Sequence, residues 1–98
     1  MRLEFHPEAE RELIEAAVYY ESRVPGLGVR FEAEVLRAAT LLLDQPAAGR
    51  AVDLAFREFS LRRFPFNLVY SVGSDHLRVE AVAHHSRRPG YWRGRGGD

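Results

Sequence analysis

Ninety-eight residues suit one domain spanning 1–98, with no room for a second core. Hydrophobic residues make up 46% of the chain and eleven residues are aromatic, which argues against disorder; the absence of cysteine excludes disulfides, thiolate metal sites and a cysteine nucleophile. The net charge of zero conceals an asymmetry: residues 1–46 hold five Arg against nine acids and residues 47–98 nine Arg against five, so the second half is basic, and every cation is an arginine, whose planar fork suits phosphate and carboxylate.

Leu3 and Phe5 alternate with Arg2 and Glu4, the pattern of a short strand with one buried face. The opening Met-Arg-Leu-Glu-Phe-His-Pro lacks the apolar run of a signal peptide, and no stretch approaches the length of a membrane span, so a cytoplasmic chain with no membrane contact is expected. Pro7 sits where a first helical residue would, with Glu8 and Glu10 in the first turn. Ala9, Leu13, Ala16, Ala17 and Tyr20 recur at helical spacing, with Glu8, Arg11, Glu12 and Glu15 mostly opposite, which predicts an amphipathic helix over 7–24. Pro25-Gly26-Leu27-Gly28 ends it. A second helix over 28–44 carries Phe31, Val35, Ala38, Ala39 and Leu42 as its stripe; Leu36, Leu41 and Leu43 widen it, the pattern of a helix buried on more than one side. The short connection makes the two an antiparallel hairpin.

Three strands follow, Phe56–Arg62, Phe66–Val72 and Leu77–His84, the last two joined by the turn Gly73-Ser74-Asp75. The order β-α-α-β-β-β gives an α+β, two-layer fold: a helical hairpin on one face of an antiparallel sheet. The Arg- and Gly-rich tail, Arg87–Asp98, is expected to fray after Trp92.

Period-two counting puts Phe66, Leu68, Tyr70 and Val72 on one face with Leu77, Val79, Ala81 and Ala83, under the helices. Glu58, Ser60, Arg62, Asn67, Arg78, Glu80 and His84 then share the open face. An antiparallel sheet commonly solvates one such face, so these polar residues alone assign no chemistry. His84 and His85 stand apart, at a strand end beside Arg87, Arg88, Tyr91 and Trp92. Histidine titrates near neutrality, arginine holds phosphate and aromatics stack on bases; the same cluster is equally what a packed tail would show. Adjacent residues of a strand point to opposite faces, which argues against His84 and His85 binding one metal, and no cofactor is implied.

Phe5-His6-Pro7-Glu8-Ala9-Glu10 followed by Leu13, then Tyr19-Tyr20, Pro25-Gly26-Leu27-Gly28 and Phe31, resembles the opening of RelE/ParE toxins. Leu61 through Tyr70 (LRRFPFNLVY) resembles their middle strands, and Ala81 through Trp92 (AVAHHSRRPGYW) their ending. The resemblance implies the RelE-like fold and a toxin of a type II toxin–antitoxin module. Its partner would be a cognate antitoxin that covers the basic half, and its target either DNA gyrase (ParE-like) or ribosome-bound mRNA, cut without a metal (RelE-like). Set against the Leu68-Val69-Tyr70 strand, the nucleases' basic pair falls at Glu58 and Ser60 and their phosphate-holding arginine at Asn67. A substitute catalytic set would be Arg62, His84, His85, Arg87 and Tyr91, with a histidine as base, arginine as clamp and Glu58 as alternative base. A decayed homologue serving as a protein- or nucleic-acid-binding module is the reading from another class.

Overall fold

In a computed structural model describing residues 1–95, α1 (Pro7–Arg23) begins directly after β1 (Arg2–Phe5). His6 caps it: the ring Nδ1 accepts the Glu8 amide at 3.0 Å, and Pro7 fills a position whose N–H a helix cannot use. Gly26, in the left-handed region at φ 87°, reverses the chain into α2 (Leu27–Asp44). The helices approach so closely at Gly28 that a Cβ there would collide with the Ala17 carbonyl oxygen. A 3-10 turn (Pro46–Ala48) leads to β2 (Arg50–Ala51), β3 (Arg57–Ser60), β4 (Phe66–Val72) and β5 (His76–His84).

The two-layer α+β arrangement stands, but the sheet is mixed and has five strands, ordered β1-β5-β4-β3-β2. β3, β4 and β5 form the antiparallel meander, short β2 adds an edge beside β3, and β1 lies parallel to β5 with Leu3 opposite Leu77. The connection between this parallel pair runs through the helical hairpin and then β2, β3 and β4, long enough to bring the chain back in the same direction. Alternation of apolar residues marks β1 as a strand and says nothing of which strand it joins or in which direction.

The main core lies between helices and sheet: Phe31, Val35, Ala39 and Leu42 from α2 meet Leu68, Tyr70, Leu77, Val79 and Val82, all at most 1% exposed. Tyr20, Phe31, Phe64 and Phe66 form an aromatic cluster at one end, with ring centroids 4.9–6.3 Å apart. Buried Tyr70 satisfies its hydroxyl by donating to the Pro46 carbonyl at 2.7 Å and accepting the Gly49 amide at 2.9 Å. The widened α2 stripe is a correction: Leu36 is 50% and Leu41 40% exposed, so α2 is buried on one side and only Leu43 of the three packs against the core.

A β-bulge corrects the face assignment. Tyr70 pairs with Val79 but Val69 pairs with Ala81, which leaves Glu80 as an extra residue in β5. The slip reverses alternation beyond it. Val82 joins the main core and His84 packs edge-on against Phe66 at 5.0 Å, while Ala81 and Ala83 turn to the face away from the helices. Unbroken period-two counting had put Ala81 and Ala83 under the helices and His84 on the open face. Val72, counted into the core, is 45% exposed at the end of β4.

Candidate functional site

The reversal creates a second, smaller apolar cluster on the open face. Val69, Ala81 and Ala83 are small enough to admit Trp92, which is 4% exposed and packs edge-on against Phe56 at 4.8 Å. The chain after β5 therefore folds back over the sheet as a strap. Its turns are closed by backbone bonds from Arg87 to His84, Tyr91 to Arg88 and Arg93 to Gly90, at 2.9–3.1 Å.

The strap's end is fastened to α1 by one carboxylate. Glu12 accepts Arg95 through Nη1 at 3.0 Å and Nη2 at 2.7 Å, the Tyr91 hydroxyl at 2.6 Å and the Val82 amide at 3.0 Å. β1 stops opposite Val79, so the β5 edge beyond it has lost its neighbour; Glu12 satisfies the Val82 N–H there, and Arg95 donates to the Glu80 carbonyl at 3.0 Å. The His6 ring Nε2 lies 3.0 Å from the Arg95 carbonyl. Because Nδ1 accepts an amide proton, Nε2 is the donor of this bond in the neutral ring. Arg93 is tied as well, to Asp53 at 2.8 Å. The fraying expected after Trp92 thus does not describe Arg93 and Arg95; the rest of that tail, residues 96–98, lies outside the described residues.

Between strap and sheet lies a groove of about 590 Å³, lined among others by Arg50, Glu58, Asn67, His85, Arg87 and Tyr91. His84 also lines it. Four of the five residues singled out from the sequence are therefore brought together. Arg62 is not among them: it lies in the β3–β4 loop and lines a different groove.

The wiring of the first groove restricts its chemistry. The Tyr91 hydroxyl is spent on Glu12, and burial, followed by that bond and the carboxylate's charge, raises its pKa far above the ordinary phenol value. What Tyr91 offers the groove is its ring, over which the Arg87 guanidinium stacks at 3.8 Å. His84 Nδ1 accepts from the Ser86 amide at 3.0 Å, so the neutral ring carries its proton on Nε2 and its basic lone pair is already engaged within the chain. His85 Nε2 lies 3.0 Å from Asn67 Oδ1, which also accepts the Ser60 hydroxyl at 2.7 Å. The Glu58 carboxylate is held by the Nε and Nη2 of Arg50. What remains presented to a partner is cationic and aromatic: Arg87 on Tyr91 and exposed Arg88 beside it; Arg93, over Trp92 at 4.6 Å, is already paired with Asp53. Among the described residues no three His, Asp or Glu side chains group as a metal site would require.

The family model for the ParE toxin of the type II toxin–antitoxin system parDE matches residues 3–89, from β1 through the first turn of the strap. The chain belongs to the ParE toxin family. A solved structure of the chromosomal ParDE TA system from P. aeruginosa contains a chain of the same fold, with a TM-score of 0.75 and 18% identity, covering 86% of this chain and 95% of that one. No curated protein matches. This ParE-family chain is thus a toxin of the type II class. Three parts of its site went unmarked in the sequence: His6, Glu12 and Arg95. Glu12 flanks the α1 stripe three residues after Ala9, the one local sign that it turns inward; its bond to Arg95 spans 83 positions and leaves no periodic trace.

Proposed function

We propose that the chain arrests growth by binding DNA gyrase through the strap and its groove, and that a cognate antitoxin neutralises it in the cytoplasm by covering its arginines. One observation carries this reading over RNA cleavage. The positions where RelE-like nucleases place cations hold Glu58, Ser60 and Asn67, and these are bound into the protein's own network: Glu58 to Arg50, and Ser60 and His85 to Asn67. Metal-free cleavage needs a free base for the 2′-hydroxyl, a cation at the phosphate and an acid for the leaving oxygen. Glu58, His84 and Tyr91 are each engaged elsewhere, which leaves His85 Nδ1 as the open base of the set without an open acid to complete the pair, while binding a protein target needs only the exposed arginines and rings. No described helix is long and apolar enough to cross a membrane.

The test is induction without antitoxin, with growth and message 5′ ends followed together. Arrest with intact messages supports the proposal. Codon-phased cuts would overturn it and point to His85, whose Nδ1 has no partner among the described residues, as the base. Growth without arrest would favour the non-toxic binding module.

A further inference from the structure

Arg62, set apart from the strap, belongs to a second basic site. It lines a groove of about 860 Å³ with Arg63 from the β3–β4 loop and Arg30 and Arg37 from α2, closed by Tyr20 and Phe64. Among the described residues that line it, four are arginines and one, Glu34, carries a carboxylate. This group is committed within the wall: it accepts the Arg62 backbone amide at 3.1 Å and lies 3.5 Å from Arg37. The guanidinium groups of Arg30, Arg62 and Arg63 are exposed and have no partner among the described residues. Arginines that line one groove without counter-charges give it a positive potential, which an anionic occupant would neutralise.

The surroundings say which anion. Arg37 also lines a neighbouring shallow patch on α2, where Leu36 and Leu41 stand half exposed beside Thr40 and Asp44. A nucleic acid would satisfy the arginines and leave the leucines in water. A protein segment carrying both carboxylates and aliphatic side chains satisfies both. The groove shares no lining residue with the strap's groove.

We propose that this groove seats an acidic, aliphatic-bearing segment of the antitoxin; the proposal rests on the toxin–antitoxin reading above and names where the partner is gripped. The first arm uses the full chain and a labelled synthetic helical peptide with Glu and Leu at three- and four-residue spacing. Controls are its Gln-for-Glu counterpart and a DNA duplex. The Glu/Leu peptide binds, more weakly at high salt, and Arg30→Gln/Arg62→Gln/Arg63→Gln reduces its affinity on the order of tenfold or more. Arg11→Gln, on α1 outside the groove, leaves it unchanged. These arginine side chains have no partner among the described residues, so the triple variant melts like the wild type. Equal peptide binding by wild type and triple variant overturns the proposal, as does duplex binding that is tighter than the peptide's and lost in the triple variant. The second arm co-expresses the product of the adjacent reading frame. A toxic triple variant that escapes neutralisation supports the groove. Full neutralisation of that variant refutes the groove alone, whereas failure to neutralise the wild type refutes the toxin–antitoxin reading.

Discussion

Glu12 is a carboxylate on an otherwise solvated helix face that accepts from Arg95, Tyr91 and the Val82 amide at once, and the position of Arg87 depends on it through the Tyr91 ring. Glu12→Gln leaves Arg95, whose side chain is 12% exposed, without its counter-charge, and should cost about 3 kcal/mol in a denaturant melt. Tyr91→Phe keeps the ring under Arg87 and removes one donor, so a loss of about 1 kcal/mol is expected, with target binding largely retained. The two variants thus separate the carboxylate from the platform. The phenol also sets an alkaline dependence. Its folded pKa is raised, so the protonated form is favoured by folding; this stabilisation is whole below the free phenol's pKa of about 10 and is lost as pH climbs above it. Tyr20 is raised as well and contributes to the same slope, so the measurement is the difference between wild type and Tyr91→Phe in melts taken across that range: the variant should fall less steeply.

At the scale of elements, the turn between the helices is held by Glu21, which accepts the Gly26 amide at 2.7 Å and the Gly28 amide at 2.9 Å, beside the N-terminus of α2. The Gly26 bond, then that of Gly28, lowers its pKa despite some desolvation, so its contribution is present above the ordinary carboxylate range and is lost as pH falls through the folded value. Glu21→Gln should melt earlier at neutral pH and converge with the wild type in acid. The sheet makes a harsher demand: Leu68→Ala in the main core should cost roughly 2–5 kcal/mol and Trp92→Ala under the strap roughly 3–5 kcal/mol. A melt unchanged by Leu68→Ala would contradict the assignment of β4's inner face. Much of this was legible beforehand. The α1 stripe, the capped turn at Gly26 and the alternation in β4 each follow from local spacing. The bulge at Glu80 did not, because one extra residue leaves the composition of β5 unchanged and shows only when β4 is laid beside it. Hence period-two counting puts Ala81, Ala83 and His84 on the wrong side, and the reason for small Ala81 and Ala83, a seat for Trp92, is invisible in the sequence.

Across the whole molecule, the linear split of charge mispredicts its distribution in space. Arg30 and Arg37 come from the acidic half, yet they join Arg62 and Arg63 in one groove, while the remaining basic cluster gathers on the strap. Eight of the fourteen arginines therefore line two grooves that share no residue, one on the α2 side of the molecule and one under the strap. The proposed function requires the strap's groove to engage a topoisomerase rather than RNA. The direct measurement is supercoiling of relaxed plasmid by purified DNA gyrase, titrated with the wild-type chain and with Arg87→Ala. The wild type should inhibit supercoiling, and Arg87→Ala should require on the order of tenfold more protein, because an exposed cation stacked on a ring is lost from the contact surface. Supercoiling at the full rate with wild-type chain in excess would contradict the account.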